Sequence, residues 1–289
     1  MPHLESSRNL LSLGPRLRTL RDLNTDDLVR AVGASRWVEA VPALRRLFDL
    51  PALAFARFLE EFDNQWILSG PGRASAGLLG RLGSRVCFTG AEPLTEGPRL
   101  FVANHPGLGD VLALVSRLAR SDLKIVARDR PFLRALPGLS RSLILVPDRG
   151  GRVLRDLENH LKAGGAVLTF PAGRIEPDPA WFRPTGWADW SASTALLLRR
   201  VPGLRVQPCL VAGIRAAGFV DPWLARWRRF ADEREWTAAV LQLFLQVLWA
   251  RPRYHRIDVA LGEPLTDPSQ LPRQMEVLAQ GLLRDLKGS

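Results

Sequence analysis

Seven short apolar runs, rich in β-branched residues and most of them closed by turn chemistry, constrain the fold of this chain more than any other feature. They lie at 85–89, 100–103, 123–127, 143–146, 166–170, 206–211 and 257–261. Each is too short for a buried helix and long enough for a core strand. Helical spacing fills most of the intervals. The pattern predicts an α/β fold with a mostly parallel central sheet of about seven strands flanked by helices. In such sheets, ligands gather beyond the carboxyl ends of the strands, where loops carry the polar groups. Three runs end in suitable residues: Asn104 and His105 after the second, Asp148 and Arg149 after the fourth, and Gly173 and Arg174 after the fifth.

Ahead of the first strand the spacing is helical from Thr25 to about Trp66. Thr25 is expected to begin one helix and Ser35 to cap a second. Pro42 should end or kink that second helix, and Pro51 should sit in the first turn of a third. From Leu53 to Phe62 apolar residues recur every three or four positions, with Arg57, Glu60, Glu61 and Asp63 on other faces. Gly70, Pro71, Gly72 and the small residues that follow have the composition of a linker. Two units follow: an N-terminal helical segment over residues 1–84, packed on core or lipid, and a sheet-bearing domain over 85–289.

Composition limits the partners. The formal charge of +11 comes mainly from arginine, which favours phosphate groups or acidic proteins. Nucleic acid, anionic lipid and phosphorylated co-substrates all satisfy that preference. Cys87 and Cys209 sit in apolar runs and are expected to be free core thiols in a reducing compartment. The N-terminus shows no apolar signal core, and no run of eighteen uncharged apolar residues follows. A cytoplasmic location is expected, with membrane contact from one side at most. His3, His105, His160 and His255 show no metal-ligand spacing, so no metal is expected.

The turn after the second strand carries the chemistry. His105 lies in a strand-to-helix turn, and Asp110 lies at the start of the helix that resumes at Val111. The two can face one another. A neutral imidazole can take a proton from a hydroxyl near neutral pH, and a carboxylate on its other nitrogen fixes the tautomer and steadies the imidazolium. A solvated Asp beside a helix-capping His accounts for the same two residues, so spacing alone does not decide.

Order decides more. Asn104, His105 and Asp110, with four residues between the last two, resemble the first motif of the glycerolipid acyltransferases, the lysophosphatidic acid acyltransferase-like superfamily. Val146 to Arg149 looks like that family's second motif. Phe170, Pro171, Ala172, Gly173 and Arg174 resemble its third, usually Phe-Pro-Glu-Gly-Thr-Arg. Pro208, within a core strand, is similar to the fourth, and Gly262-Glu263-Pro264 to a common closing turn. The resemblance covers roughly residues 85–285. It departs at Ala172, which stands where the family has glutamate, and at Arg174, which comes one position early. Glu176 is an alternative carboxylate from a shifted loop, and a simple turn at Pro177 accounts for it equally well.

The resemblance implies an O-acyltransferase of phospholipid synthesis, with residues 85–289 as its catalytic domain. It would move an acyl chain from a thioester, acyl-CoA or acyl carrier protein, to the hydroxyl of a lysolipid such as lysophosphatidic acid. His105 would deprotonate the acceptor and Asp110 would orient His105. Asn104, Gly107, Arg149, Pro171, Gly173 and Arg174 would form the substrate site, with amides of the glycine turn near the developing oxyanion. Arg128 and Arg130, in a basic rim, would attract the phosphates of the donor. No tightly bound cofactor is required.

Seven of the nine tryptophans lie after residue 180. Trp223 and Trp227, one turn apart beside Arg226, Arg228 and Arg229, suit an anionic membrane surface, and core packing suits them equally. The run at 237–250 is apolar but too short for a span, with Gln242 and Gln246 as a polar stripe. A last helix over 267–287 should pack on the sheet through Leu271, Met275, Leu278, Leu282 and Leu286. Rival readings fare less well. A nucleic-acid protein would suit the charge, but the aromatics are mainly tryptophan and no binding motif is present, so no nucleic acid is expected. A serine hydrolase would need a Gly-x-Ser-x-Gly elbow, which is missing. A lipid-binding relative without catalysis would not need both His105 and Asp110.

Overall fold

The computed structural model describes residues 13–288, apart from 94, 119, 148–151, 183–186, 188–189, 191–192, 221, 223–224, 228–229 and 249–254. Of residues 193, 227, 231–232 and 285–288 it describes the backbone alone. All seven expected strands form, each within two residues of its expected bounds. They are β1 (Ser84–Gly90), β2 (Arg99–Ala103), β3 (Leu123–Arg128), β4 (Leu143–Val146), β5 (Ala166–Thr169), β6 (Arg205–Ala212) and β7 (His255–Leu261). They build one sheet in the order β1-β7-β6-β2-β5-β3-β4. Every neighbouring pair is parallel except β6 and β7.

That order centres β2 between β6 and β5. Phe101, Val102 and Ala103 are wholly buried, because both faces of a central parallel strand are covered. Helices cover one face as α1 (Pro15–Ala31), α3 (Arg46–Ser69), α4 (Pro71–Arg81), α5 (Asp110–Leu118) and α10 (Ala231–Leu248), with the short α2 (Ser35–Ala40) between the first two. One continuous apolar core joins them to the sheet, from Phe55, Phe62 and Trp66 through Leu114 and Phe244 to Phe101 and Val259. The other face packs on α8 (Val153–Lys162), α9 (Ser193–Arg200) and α11 (Leu271–Gly288). There Leu271, Met275 and Leu282 are buried, as the spacing of the last helix required. Two one-turn helices, α6 (Pro131–Arg134) and α7 (Pro137–Ser140), connect β3 to β4.

The N-terminal segment departs from its sequence pattern in instructive ways. α1 starts at Pro15, so Thr25 lies inside it, buried, with its hydroxyl donating to the Arg21 carbonyl. Ser35 is the first residue of α2 and makes no cap hydrogen bond. α2 ends at Ala40, and Pro42 opens a 3-10 turn, as a missing N–H demands. Pro51 falls past the first turn of α3 rather than within it. Asp63, placed by its charge on the outer face, is buried: it accepts Arg16 Nη2 at 2.6 Å and the amides of Gly138 and Leu139 at 3.2 and 2.8 Å. It caps α7 and ties it to α1 and α3.

The linker expected after Gly70 is a helix. Pro71 sits at its first position, where no N–H is needed, and Gly70 makes the corner at φ 82°. The small residues allow close packing instead of flexibility: a Cβ at Gly72 would meet the Val115 carbonyl of α5 at 3.6 Å. Small residues suit either purpose, and only the tertiary partner distinguishes them. No helix among the described residues is long and apolar enough to cross a membrane.

Candidate active site

β2 delivers His105 to the carboxyl edge of the sheet through Asn104. The Asn104 side chain extends the ladder: Nδ2 donates to the Val211 carbonyl at 2.8 Å, and Oδ1 accepts the Val211 amide at 2.7 Å. With both polar atoms engaged and the residue buried, Asn104 anchors the turn to β6.

His105 Nδ1 donates to Asp110 Oδ2 at 2.7 Å. Asp110 is fully buried at the first turn of α5, where the helix dipole favours its charge. The carboxylate is saturated: Oδ2 also accepts the Gly107 amide at 3.2 Å, and Oδ1 accepts the Val111 amide at 2.6 Å. The Phe170 ring, centroid 4.8 Å away, backs the imidazole from the end of β5. Burial of the ring lowers the His105 pKa, but the charge and hydrogen bond of Asp110, with the charge of Glu176, outweigh it and hold it above the ordinary value. Nε2 has no protein partner among the described residues.

Glu176 enters the site from the loop after β5. Its Oε2 accepts the His105 amide at 3.0 Å, its own amide donates to the His105 carbonyl at 2.7 Å, and Trp190 Nε1 reaches Oε1 at 3.4 Å. Burial raises its pKa above the ordinary carboxylate value, against those hydrogen bonds and the charges of His105 and Arg174. The structure therefore resolves the two sequence readings: Glu176 is no simple turn residue, and its carboxylate abuts the histidine. Ala172, half-buried, brings no polar atom.

The remaining expected residues scatter. Pro171 and Gly173 form the turn below Phe170, with the Gly173 amide bonded to the Phe170 carbonyl at 3.0 Å and φ at 63°. Arg174 is exposed, near enough for its charge to act on Glu176. Gly107 is held against Ile214, which a Cβ there would meet at 2.6 Å. Its amide donates to Asp110. The amides of Leu108 and Gly109 bond to no described residue. Arg128 and Arg130 are exposed at the end of β3, two strands from β2, and the charge of Arg130 falls on Asp27 of α1. Arg149, and with it Trp223, Arg228, Arg229 and Trp249, lies outside the described residues.

Sequence reasoning missed the wall opposite the turn. Asp178, flanked by Pro177 and Pro179, accepts the amides of Ala180 and Gly213 through Oδ1 at 2.9 and 2.8 Å, and that of Arg215 through Oδ2 at 2.7 Å. It thereby fastens the loop after β5 to the end of β6. The Asp between prolines was the available signal, since Asp bonds nearby backbone in turns. Gln242, expected on a polar stripe, is buried and clamps the same segment, donating to the Ile214 carbonyl at 2.8 Å and accepting the Ala216 amide at 3.1 Å. Arg215, also buried, pairs with Glu235 at 2.7 Å.

No protein-family model and no curated protein matches the sequence. Among solved structures the chain is similar to the crystal structure of the 1-acyl-sn-glycerophosphate (LPA) acyltransferase PlsC from Thermotoga maritima, at 17% identity and a TM-score of 0.45, over 94% of this chain and 97% of that one. At that identity the likeness is one of fold, and the chemistry has to come from this chain's own residues.

Proposed function

We propose that the protein transfers an acyl chain from a thioester to the hydroxyl of a lysolipid. The observation that carries this reading is the His105–Asp110 pair at 2.7 Å, with Nδ1 engaged by a buried carboxylate and Nε2 left for an acceptor. Nε2 takes the hydroxyl proton, the oxygen attacks the thioester carbonyl, and the carbon–sulfur bond breaks. The imidazolium returns its proton to the leaving thiolate, so no acyl-enzyme forms. The free amides of Leu108 and Gly109 are the turn's remaining donors for the oxyanion. Arg174 meets an acceptor phosphate through its planar donor fork.

The rim supports an amphipathic acceptor at a membrane surface, which we take to be the anionic cytoplasmic face. Leu108, Trp181 and Phe182 are 37%, 48% and 40% exposed around the turn. The Trp181 indole is fixed by donating to the Arg215 carbonyl at 2.7 Å. Indole and phenyl groups suit the membrane interface. The test is thioester consumption with acyl-CoA and acyl carrier protein against a panel of lysophospholipid, amino-acid-lipid and sugar-lipid acceptors. Acceptor-dependent thiol release that disappears in His105→Ala and falls in Asp110→Asn is expected. Consumption in wild type that does not depend on any acceptor refutes transfer.

A further inference from the structure

An open-sided cavity of about 310 Å³ lies against the paired strands β1 and β7, lined by Arg85, Cys87, His255 and Arg256. Strand direction sets its place. β7 runs against β6, and β1 runs with β7, so the amino ends of β1 and β7 lie beside the carboxyl ends of β6 and β2. With strands about 4.8 Å apart, β1 stands roughly 14 Å across the sheet from β2. The cavity thus shares the edge of the sheet that carries His105. Gly213 and Ile214 join the two: a Cβ at Gly213, φ 78°, would lie 2.3 Å from the Arg256 carbonyl oxygen, and Ile214 packs on Gly107.

The lining asks for an anion. Arg85 and Arg256 are register partners, and like charges directly opposite in a sheet destabilise it. Asp258, two residues along on the same face, accepts from Arg256 Nε at 2.7 Å and offsets one charge. No carboxylate among the described residues forms an ion pair with Arg85. His255 Nε2, 3.3 Å from Ser84 Oγ, adds hydrogen-bonding capacity.

Given the acyltransferase reading, on which this rests, we infer that the cavity takes the phosphate end of the thioester donor, the phosphopantetheine phosphate that coenzyme A and acyl carrier protein share. The phosphopantetheine arm has its phosphate at one end and its sulfur at the other. Laid along the carboxyl edge from Arg85 past Gly213, it brings the thioester to His105. Guanidinium groups suit a phosphate oxygen pair, and among the described residues Arg85 has no carboxylate to give up.

Cys87 is a built-in reporter, because Cys209 is fully buried. In the full-length protein, iodoacetamide alkylation of Cys87, followed by intact mass, should slow several-fold with S-methyl coenzyme A or S-methylated carrier protein. S-methyl pantetheine, which has no phosphate, and chloride at matched ionic strength should leave the rate unchanged. Protection by only one of the two donors assigns the source. Equal protection by inorganic phosphate at the same concentration makes the cavity a free-phosphate site and overturns the donor assignment, as does no protection by either donor. In Arg85→Gln the ratio of KM for acyl-CoA to KM for acyl-pantetheine should rise about tenfold, the loss of one charge-assisted hydrogen bond. An unchanged ratio overturns the inference. If wild type turns over thioesters while Cys87 stays unprotected, only the cavity assignment fails; if it turns over none, the acyltransferase reading itself fails.

Discussion

Asp110→Asn changes one oxygen for an amide nitrogen at a position with no spare acceptor. In the native turn the two carboxylate oxygens accept three N–H groups: His105 Nδ1 at 2.7 Å, the Gly107 amide at 3.2 Å and the Val111 amide at 2.6 Å. Asparagine has one oxygen. If that oxygen faces His105 and Gly107, its NH2 meets the Val111 N–H, donor against donor, at a cost of about 1–3 kcal/mol for the unsatisfied buried group. If it faces Val111, the NH2 meets His105 Nδ1, which must then accept, and the ring proton moves to Nε2. That tautomer cannot take a proton from the acceptor. The expected loss in kcat is about 10²- to 10⁴-fold, the span of general-base catalysis. The variant also loses the largest influences that raise the His105 pKa. The base form disappears as pH falls through that pKa, so the acidic limb of kcat/KM should move to lower pH. Stability carries the opposite sign. A histidine that titrates above its unfolded value stabilises the fold below the unfolded pKa, and the contribution is lost as pH rises through the folded pKa. The assay is thiol release from acyl-CoA across pH, with unfolding curves alongside. Near-native turnover in folded Asp110→Asn, or an unmoved acidic limb, would refute the reasoning.

Glu176→Ala removes the acceptor of the His105 amide and should cost about 1–3 kcal/mol in urea unfolding, whereas Glu176→Gln keeps an acceptor and most of that stability. Because Glu176 also raises the His105 pKa by its charge, the acidic limb should still shift downward in Glu176→Gln. Gly107→Ala drives a methyl against Ile214 at 2.6 Å and should destabilise by about 1–3 kcal/mol. Calorimetry would check this, and Ile214→Ala in the same chain should recover part of the loss.

Local chemistry was legible in the sequence where it depends on neighbours along the chain. All seven strands announce themselves by short apolar runs, and the five-residue offset of His105 and Asp110 suffices for contact because a turn and a helix start join them. What depends on distant partners was not legible. The antiparallel pairing of β6 with β7, across α10, carries no sequence mark. The glycine-rich stretch at 70–77 reads as a linker along the chain and is a helix because α5 supplies its close neighbour. Asp63 and Gln242 looked like surface polar groups, because burial of a polar side chain depends on who answers it: Arg16 and α7 in one case, the loop at 214–216 in the other. The anchoring role of Asn104 was hidden for the related reason that its partner, Val211, is far along the chain.

In direct transfer the His105 imidazole takes the acceptor's proton and never carries the acyl group. The most direct measurement is the initial rate of acylated-lipid formation by wild type and by His105→Gln of matched fold, with intact mass of the protein recorded during turnover. Direct transfer gives one acylated product per thiol released, no acyl adduct on the protein, and a loss of about 10²-fold or more in the variant. A His105→Gln protein within a fewfold of wild type, or an acylated protein that forms and decays at the turnover rate, would contradict it.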